Sequence, residues 1–193
     1  MREEYRKTAH IFFGIIIALF IYFADRITAT AVMGVVILLS LCISAAIYKG
    51  KYIPLFSPIV AGLEREGVFP GKGTILFFIG TFICLLLFPK EYVVASVLVL
   101  SFLDGVSTII GINFGKTRIY KNKSLEGSLS GIICGFLALF LILGIPPVIA
   151  AVTAVIAGIT ELISPVDDNL TIPIAVCIVL TLLMNNTIMM PIM

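Results

Sequence analysis

The sequence predicts an all-α fold, a polytopic bundle of about seven membrane-spanning helices with its N-terminus in the cytoplasm. Three observations predict it. Of 193 residues, 60% are hydrophobic and only 12% charged, whereas soluble domains carry about 25% charged residues. Apolar runs close to the roughly 20 residues of a bilayer crossing recur along the whole chain. The basic residues are also one-sided. With the N-terminus inside, Arg2, Arg6, Lys7, Lys49, Lys51, Arg65, Lys72, Lys116, Arg118, Lys121 and Lys123 fall on the inner side, and only Arg26 and Lys90 outside. Basic residues concentrate on the cytoplasmic side of membrane proteins.

The expected spans lie near residues 8–24, 27–48, 74–89, 92–114, 128–144, 146–163 and 170–190. The first follows a charged N-terminus but lacks a small-residue cleavage site, so it reads as a retained helix. Segment 52–66 holds Pro54, Pro58 and three charges, which suits an interfacial or re-entrant piece better than a crossing. Gly144, Pro146 and Pro147 make a tight outer hairpin between the fifth and sixth spans. The spacings Gly111/Gly115, Gly131/Gly135 and Ala154/Gly158 suit close helix packing. The longest polar stretch, Gly115 to Gly127, is too short to fold alone. One integral-membrane domain over residues 1–193 is therefore expected, with any site built from helix ends and short loops. Cys42, Cys84, Cys134 and Cys177 stand singly in separate apolar segments, and His10 is the sole histidine. Zinc and iron–sulfur sites are not expected, and the cysteines read as small buried hydrophobes.

Within this apolar frame, Asp104 interrupts the run from Tyr92 to Phe114. An ionisable group at that depth is costly unless paired, hydrated or metal-bound, and it marks a functional site by default. Asp104, Thr108, Gly111 and Gly115 fall on one helical stripe, a face open to close polar approach, and Mg²⁺ with nucleotide phosphates suits it. Arg6 and His10, one turn apart with Lys7 beside them, form a cationic cluster able to hold phosphate oxygens, with His10 as an acid or base. The loop from Glu64 to Thr74 resembles a P-loop only superficially: three residues separate Gly67 from Gly71, Gly73 follows Lys72, and no strand precedes it. It remains a glycine loop whose Lys72 and helix-opening N–H groups suit phosphate. In the loop from Lys116 to Ser128, Lys123 and Glu126 border glycine and serine where a nucleotide could sit, while Arg118 and Lys121 read as topology-setting charges. Ser124 also suits a helix N-cap, with Glu126 in the first turn. Glu161 lies inside an apolar segment and is followed by Asp167, Asp168 and Asn169, which read as caps or as part of a carboxylate group needing a cation. Pro165 is expected to stop one helix, and Pro173 to sit in the first turn of the next. Together these charges point to a membrane-embedded enzyme that handles an anionic, metal-bound substrate.

The blocks Arg6-Lys7-Thr8-Ala9-His10 with Gly14, Asp104 with Gly111, Gly115 and Lys116, Lys123 to Ser128, and Glu161 followed by Asp167 to Pro173 resemble the CTP-dependent polyprenol kinase family. That group includes dolichol kinases, phytol kinases and CTP-dependent diacylglycerol kinases, and it is related to the phosphatidate cytidylyltransferases. The resemblance implies transfer of the γ-phosphate of CTP to a membrane isoprenoid alcohol at the cytosolic face. It implies Mg²⁺ on Asp104 with one or more of Glu126, Glu161 and Asp168. Arg6, Lys7, Lys72, Lys116, Lys123, Ser124, Glu126, Gly127 and Asn169 would then hold the nucleotide. Asp168, Glu161, Asp104 and His10 would carry the chemistry, with Asp168 the first choice of base and Glu161 the second. A homodimer is compatible with this reading, and no nucleic acid is expected as a partner. Two other functions fit the sequence less well. A cytidylyltransferase making a CDP-activated lipid would end in a longer aspartate-rich signature than this chain has. A transporter would mark a charged path across the bilayer, whereas the outer half of every helix is essentially uncharged.

Overall fold

Helix boundaries follow the expected punctuation in a computed structural model that describes residues 2–63, 68–120, 123–164 and 166–188. The elements are α1 (Arg2–Phe23), α2 (Arg26–Tyr48), a short α3 (Phe56–Leu63), α4 (Lys72–Leu87) and α5 (Lys90–Asn113). A hairpin of β1 (Arg118–Tyr120) and β2 (Lys123–Ser124) follows. Then come α6 (Leu125–Leu137), continued by a π-helical turn over Ala138–Ile142, α7 (Pro147–Ile163) and α8 (Asp168–Ile188). Asp25 caps α2 by accepting from the Thr28 N–H at 2.9 Å, and Ser124 caps α6 by accepting from the Gly127 N–H at 3.2 Å. Pro147 opens α7, where its missing N–H costs nothing.

Among the described residues, four stretches, Glu3–Phe23, Arg26–Tyr48, Lys90–Asn113 and Leu125–Ile142, are long and apolar enough to cross a membrane. Lys72–Leu87, Pro147–Ile163 and Asp168–Met184 are shorter apolar helices. The protein is thus a mostly helical membrane bundle. Helix α5 is its axis: 72% of its spanning window is buried, against 11% for α2, and it packs chiefly on α6, α1 and α8. Val97, Val99, Leu100 and Leu103 are all inaccessible, so the middle of α5 is covered on every side. That central place is why Asp104 is tolerated there, because it faces protein instead of lipid.

Lipid tails are as apolar as leucine, so close packing must hold the helices together. At Gly131 in α6, a Cβ would come within 2.7 Å of the Leu103 carbonyl and 2.9 Å of the Ser107 side chain, which is how α6 seats against α5. Gly135 and Gly158 likewise sit at helix contacts, beside Leu103 and Ile132 respectively.

Three expectations need correction. The loop after α5 holds an antiparallel hairpin, Arg118 opposite Ser124 and Tyr120 opposite Lys123, with an irregular register; its five residues are too few for an alternating pattern to reveal. The first helix begins at Arg2 and not near residue 8, so the N-terminal basic block lies within it. Pro173 is inside α8 and not in its first turn, because Leu170 and Thr171 already donate to the Asp167 carbonyl. Pro173 has no N–H to offer the Asn169 carbonyl. That carbonyl faces Gly80 of α4, where a Cβ would come within 2.9 Å. The Glu64–Gly67 half of the glycine loop, and Arg65, Lys121 and Pro165, lie outside the described residues.

Candidate active site

At one end of the bundle, the start of α1, the C-terminal half of α5, strand β2, the end of α7 and the start of α8 converge. Asp104 of α5 is 1% exposed, and the Lys7 Nζ of α1 donates to both of its oxygens, at 2.6 and 2.5 Å. Two short charge-assisted bonds compensate a carboxylate that has left water. His10, one turn further along α1, brings Nε2 to 3.8 Å from Asp104 Oδ2 and sets its ring edge-on against Phe77.

Glu161 of α7 forms the second half. Its Oε1 accepts from Lys123 Nζ and from Ser107 Oγ, the latter at 2.6 Å. Lys123 also lies 3.7 Å from Asp168 Oδ2. Among the described residues, Asp104, Glu161 and Asp168 make one group of three acidic side chains, with one oxygen of each within 4.8 Å of the others. Burial of Lys123 disfavours its ammonium, but the Glu161, Asp104 and Asp168 carboxylates more than offset that, so its pKa stands above the usual lysine range.

Three carboxylates against two ammonium groups leave room for a further positive charge. Glu161 Oε2 and Asn169 Oδ1 are buried acceptors without a hydrogen-bond partner. Bare buried acceptors are expensive. A hard oxygen-binding divalent cation suits this donor set, since magnesium favours one or two carboxylates together with phosphate oxygens. The residues therefore fit Mg²⁺.

The other candidates are distributed around this centre. Asn169 occupies the first turn of α8, its N–H directed to Asp167 Oδ1 and Asp168 Oδ1 at 3.2 and 3.1 Å. Gly73 of α4 sits beside its amide, so exposed Lys72 stands at the rim of the same end. Arg6 turns to Glu3, at 2.5 Å, with its Nε buried and unpartnered. Lys116 is exposed. Ser124 and Gly127 are buried between α5 and α6, where Ser124 meets Gly111 and Gly115. Glu126 is not among the three carboxylates: its oxygens accept from the Lys116 and Thr117 backbone N–H groups at 3.1 to 3.2 Å, closing the loop at the hairpin's foot. Thr108, expected on the polar stripe, is not in the acidic group; the hydroxyl that reaches it is that of Ser107. Sequence reasoning missed Ser107, whose one local cue is its place a turn after Asp104.

No protein-family model matches the chain, and no solved structure matches it. Curated proteins do. An uncharacterised protein of Methanocaldococcus jannaschii is 34% identical over 184 residues, covering 93% of both chains. An uncharacterised protein of Rickettsia prowazekii is 28% identical over 193 residues, with 93% of this chain and 94% of that one covered. The CTP-dependent diacylglycerol kinase 1 of Schizosaccharomyces pombe is 33% identical over 150 residues, 67% of this chain and 69% of the kinase. With two thirds of each chain matched at that identity, the chain belongs to the CTP-dependent lipid kinase family.

Proposed function

We propose that the protein transfers the γ-phosphate of CTP to a membrane isoprenoid alcohol of the dolichol, phytol or geranylgeraniol type, with Mg²⁺, at the cytosolic face. The observation that carries this reading is the meeting of Asp104, Glu161 and Asp168, from three helices, with Lys7 and Lys123 at one end of an apolar bundle. Phosphoryl transfer needs chiefly positioning and charge neutralisation, and these groups supply both. The relative's name supports a lipid acceptor and CTP. The isoprenoid acceptor is this reading's own extension, resting on the family-like blocks of the sequence.

In this reading Asp104 and Glu161 would hold the cation, which would supply positive charge to offset that of the phosphate groups. Lys7 and Lys123 take phosphate oxygens, helped by Lys116, Lys72 and Arg6 from the rim. Asp168 accepts the proton of the lipid hydroxyl as its oxygen attacks the γ-phosphorus and CDP leaves. Asp168 suits the base because its side chain keeps 26% exposure, while those of Asp104 and Glu161 keep 1% and none. A lipid hydroxyl arriving from the bilayer must reach the base, and the two buried carboxylates are already bonded.

The proposal includes seven crossings, a cytoplasmic N-terminus and one domain over residues 1–193. It is supported by the two opposite ends of the bundle. The outer cations Arg26 and Lys90 donate to carbonyls at the C-termini of α4 and α1, so each is spent on a helix end. The test uses purified protein in lipid with Mg²⁺ and CTP labelled at the γ- or α-phosphate, against polyprenols and diacylglycerol. Label from γ-CTP in polyprenol is expected. Label in diacylglycerol alone would replace the acceptor, and label from α-CTP alone would make the enzyme a cytidylyltransferase.

A further inference from the structure

We infer that Ser107 is a positioning residue that presents Glu161 Oε2 to the divalent cation, an inference that rests on the metal site proposed above. Glu161 Oε1 takes two donors, Lys123 and Ser107, while Oε2 is buried and takes none. A carboxylate with one oxygen saturated and the other bare is oriented, and its free lone pairs go to the one remaining ligand. The two donors are not equivalent. Lys123 stands on the hairpin with 30% of its side chain exposed, and its charge opposes a cation on the same carboxylate. Once metal and triphosphate arrive, phosphate oxygens compete for that ammonium. Ser107 is neutral, 5% exposed and fixed on the central helix, so it stays on Oε1 and does not repel the metal. Its place is prepared by Gly131, whose Cβ would crowd the Ser107 side chain at 2.9 Å. Partners that orient metal ligands typically carry 10- to 100-fold in metal affinity or activity.

The test measures Mn²⁺ binding to the purified full-length protein by electron paramagnetic resonance of free Mn²⁺, alongside phosphate transfer from CTP. S107A removes only the hydroxyl, and Ala fits α5 without new contacts. S101A makes the same deletion on the same helix, where the hydroxyl is spent on the Val97 carbonyl at 2.7 Å. S107A is expected to weaken Mn²⁺ about tenfold, with turnover largely restored at saturating Mg²⁺, and S101A to leave binding unchanged. Equal Mn²⁺ affinity in S107A and wild type would overturn the inference, and so would equal weakening in both variants. A wild type that transfers no phosphate to any lipid, but shows the expected Mn²⁺ pattern, would overturn the kinase reading and leave Ser107 its role.

Discussion

Replacing Lys7 with Met tests the arrangement at its most buried point. Lys7 keeps 10% of its side chain exposed, Asp104 keeps 1%, and the two are joined by bonds of 2.5 and 2.6 Å. Removing one partner strands a charge in a site sealed by α1 and α5, with His10 Nε2 at 3.8 Å the nearest substitute. Breaking a buried pair this way costs about 3–5 kcal/mol. For a chain of this length each kcal/mol moves the midpoint by about 2–4 °C, so K7M is expected to melt roughly 6–20 °C lower. D104N, which strands Lys7 instead, should fall in the same range. The double variant K7M/D104N removes both charges, so its loss should be smaller than the sum of the two by about 2 kcal/mol or more. The assay is thermal unfolding in a single detergent, with circular dichroism confirming helix content before the melt. Strict additivity of the two losses would mean that Lys7 and Asp104 do not interact, and the active-site assembly described above would fail with it.

Other substitutions separate the roles assigned to neighbouring groups. E126Q is expected to keep turnover within about tenfold while raising the KM for CTP, because Glu126 holds a loop and does not join the carboxylate group; loss of turnover matching that of E161Q would return it to the metal. Lys123 has a folded pKa above its unfolded one, so its stabilisation is complete below the unfolded value, about 10.4. That stabilisation disappears as pH rises through the higher folded value, and K123M should flatten the decline in melting temperature above about pH 10. A wild-type decline no steeper than that of K123M would refute this. R26A is expected to lower the midpoint by a few degrees, the worth of about 1 kcal/mol at a helix C-terminus, with CTP turnover per folded molecule unchanged. S124A should cost about 1 kcal/mol in chemical or thermal unfolding through the lost N-cap of α6.

Much of this molecule is legible along the chain because the bilayer imposes simple one-dimensional constraints. Runs of apolar residues mark helices, and prolines and glycines mark their ends. An acid in the middle of such a run, Asp104, therefore announces itself without any structure. Glu161, inside an apolar segment, and Asp168, in the polar stretch that follows it, stand out as candidates for the same reason. Tertiary structure decided which of the many polar residues meet. Lys7 lies 97 positions from Asp104, and Lys123 lies 38 from Glu161, so neither pairing has a local signature. Glu126 and Glu161 look alike in sequence, but one is bound by backbone N–H groups of its own loop and the other is buried among the cations. Ser107 has the ordinary appearance of a small residue on a packed helix, and only the approach of α7 gives its hydroxyl a carboxylate to hold. Composition and periodicity report the solvent around each segment. The partner of a buried charge depends on how helices distant in sequence pack, and that is settled in three dimensions.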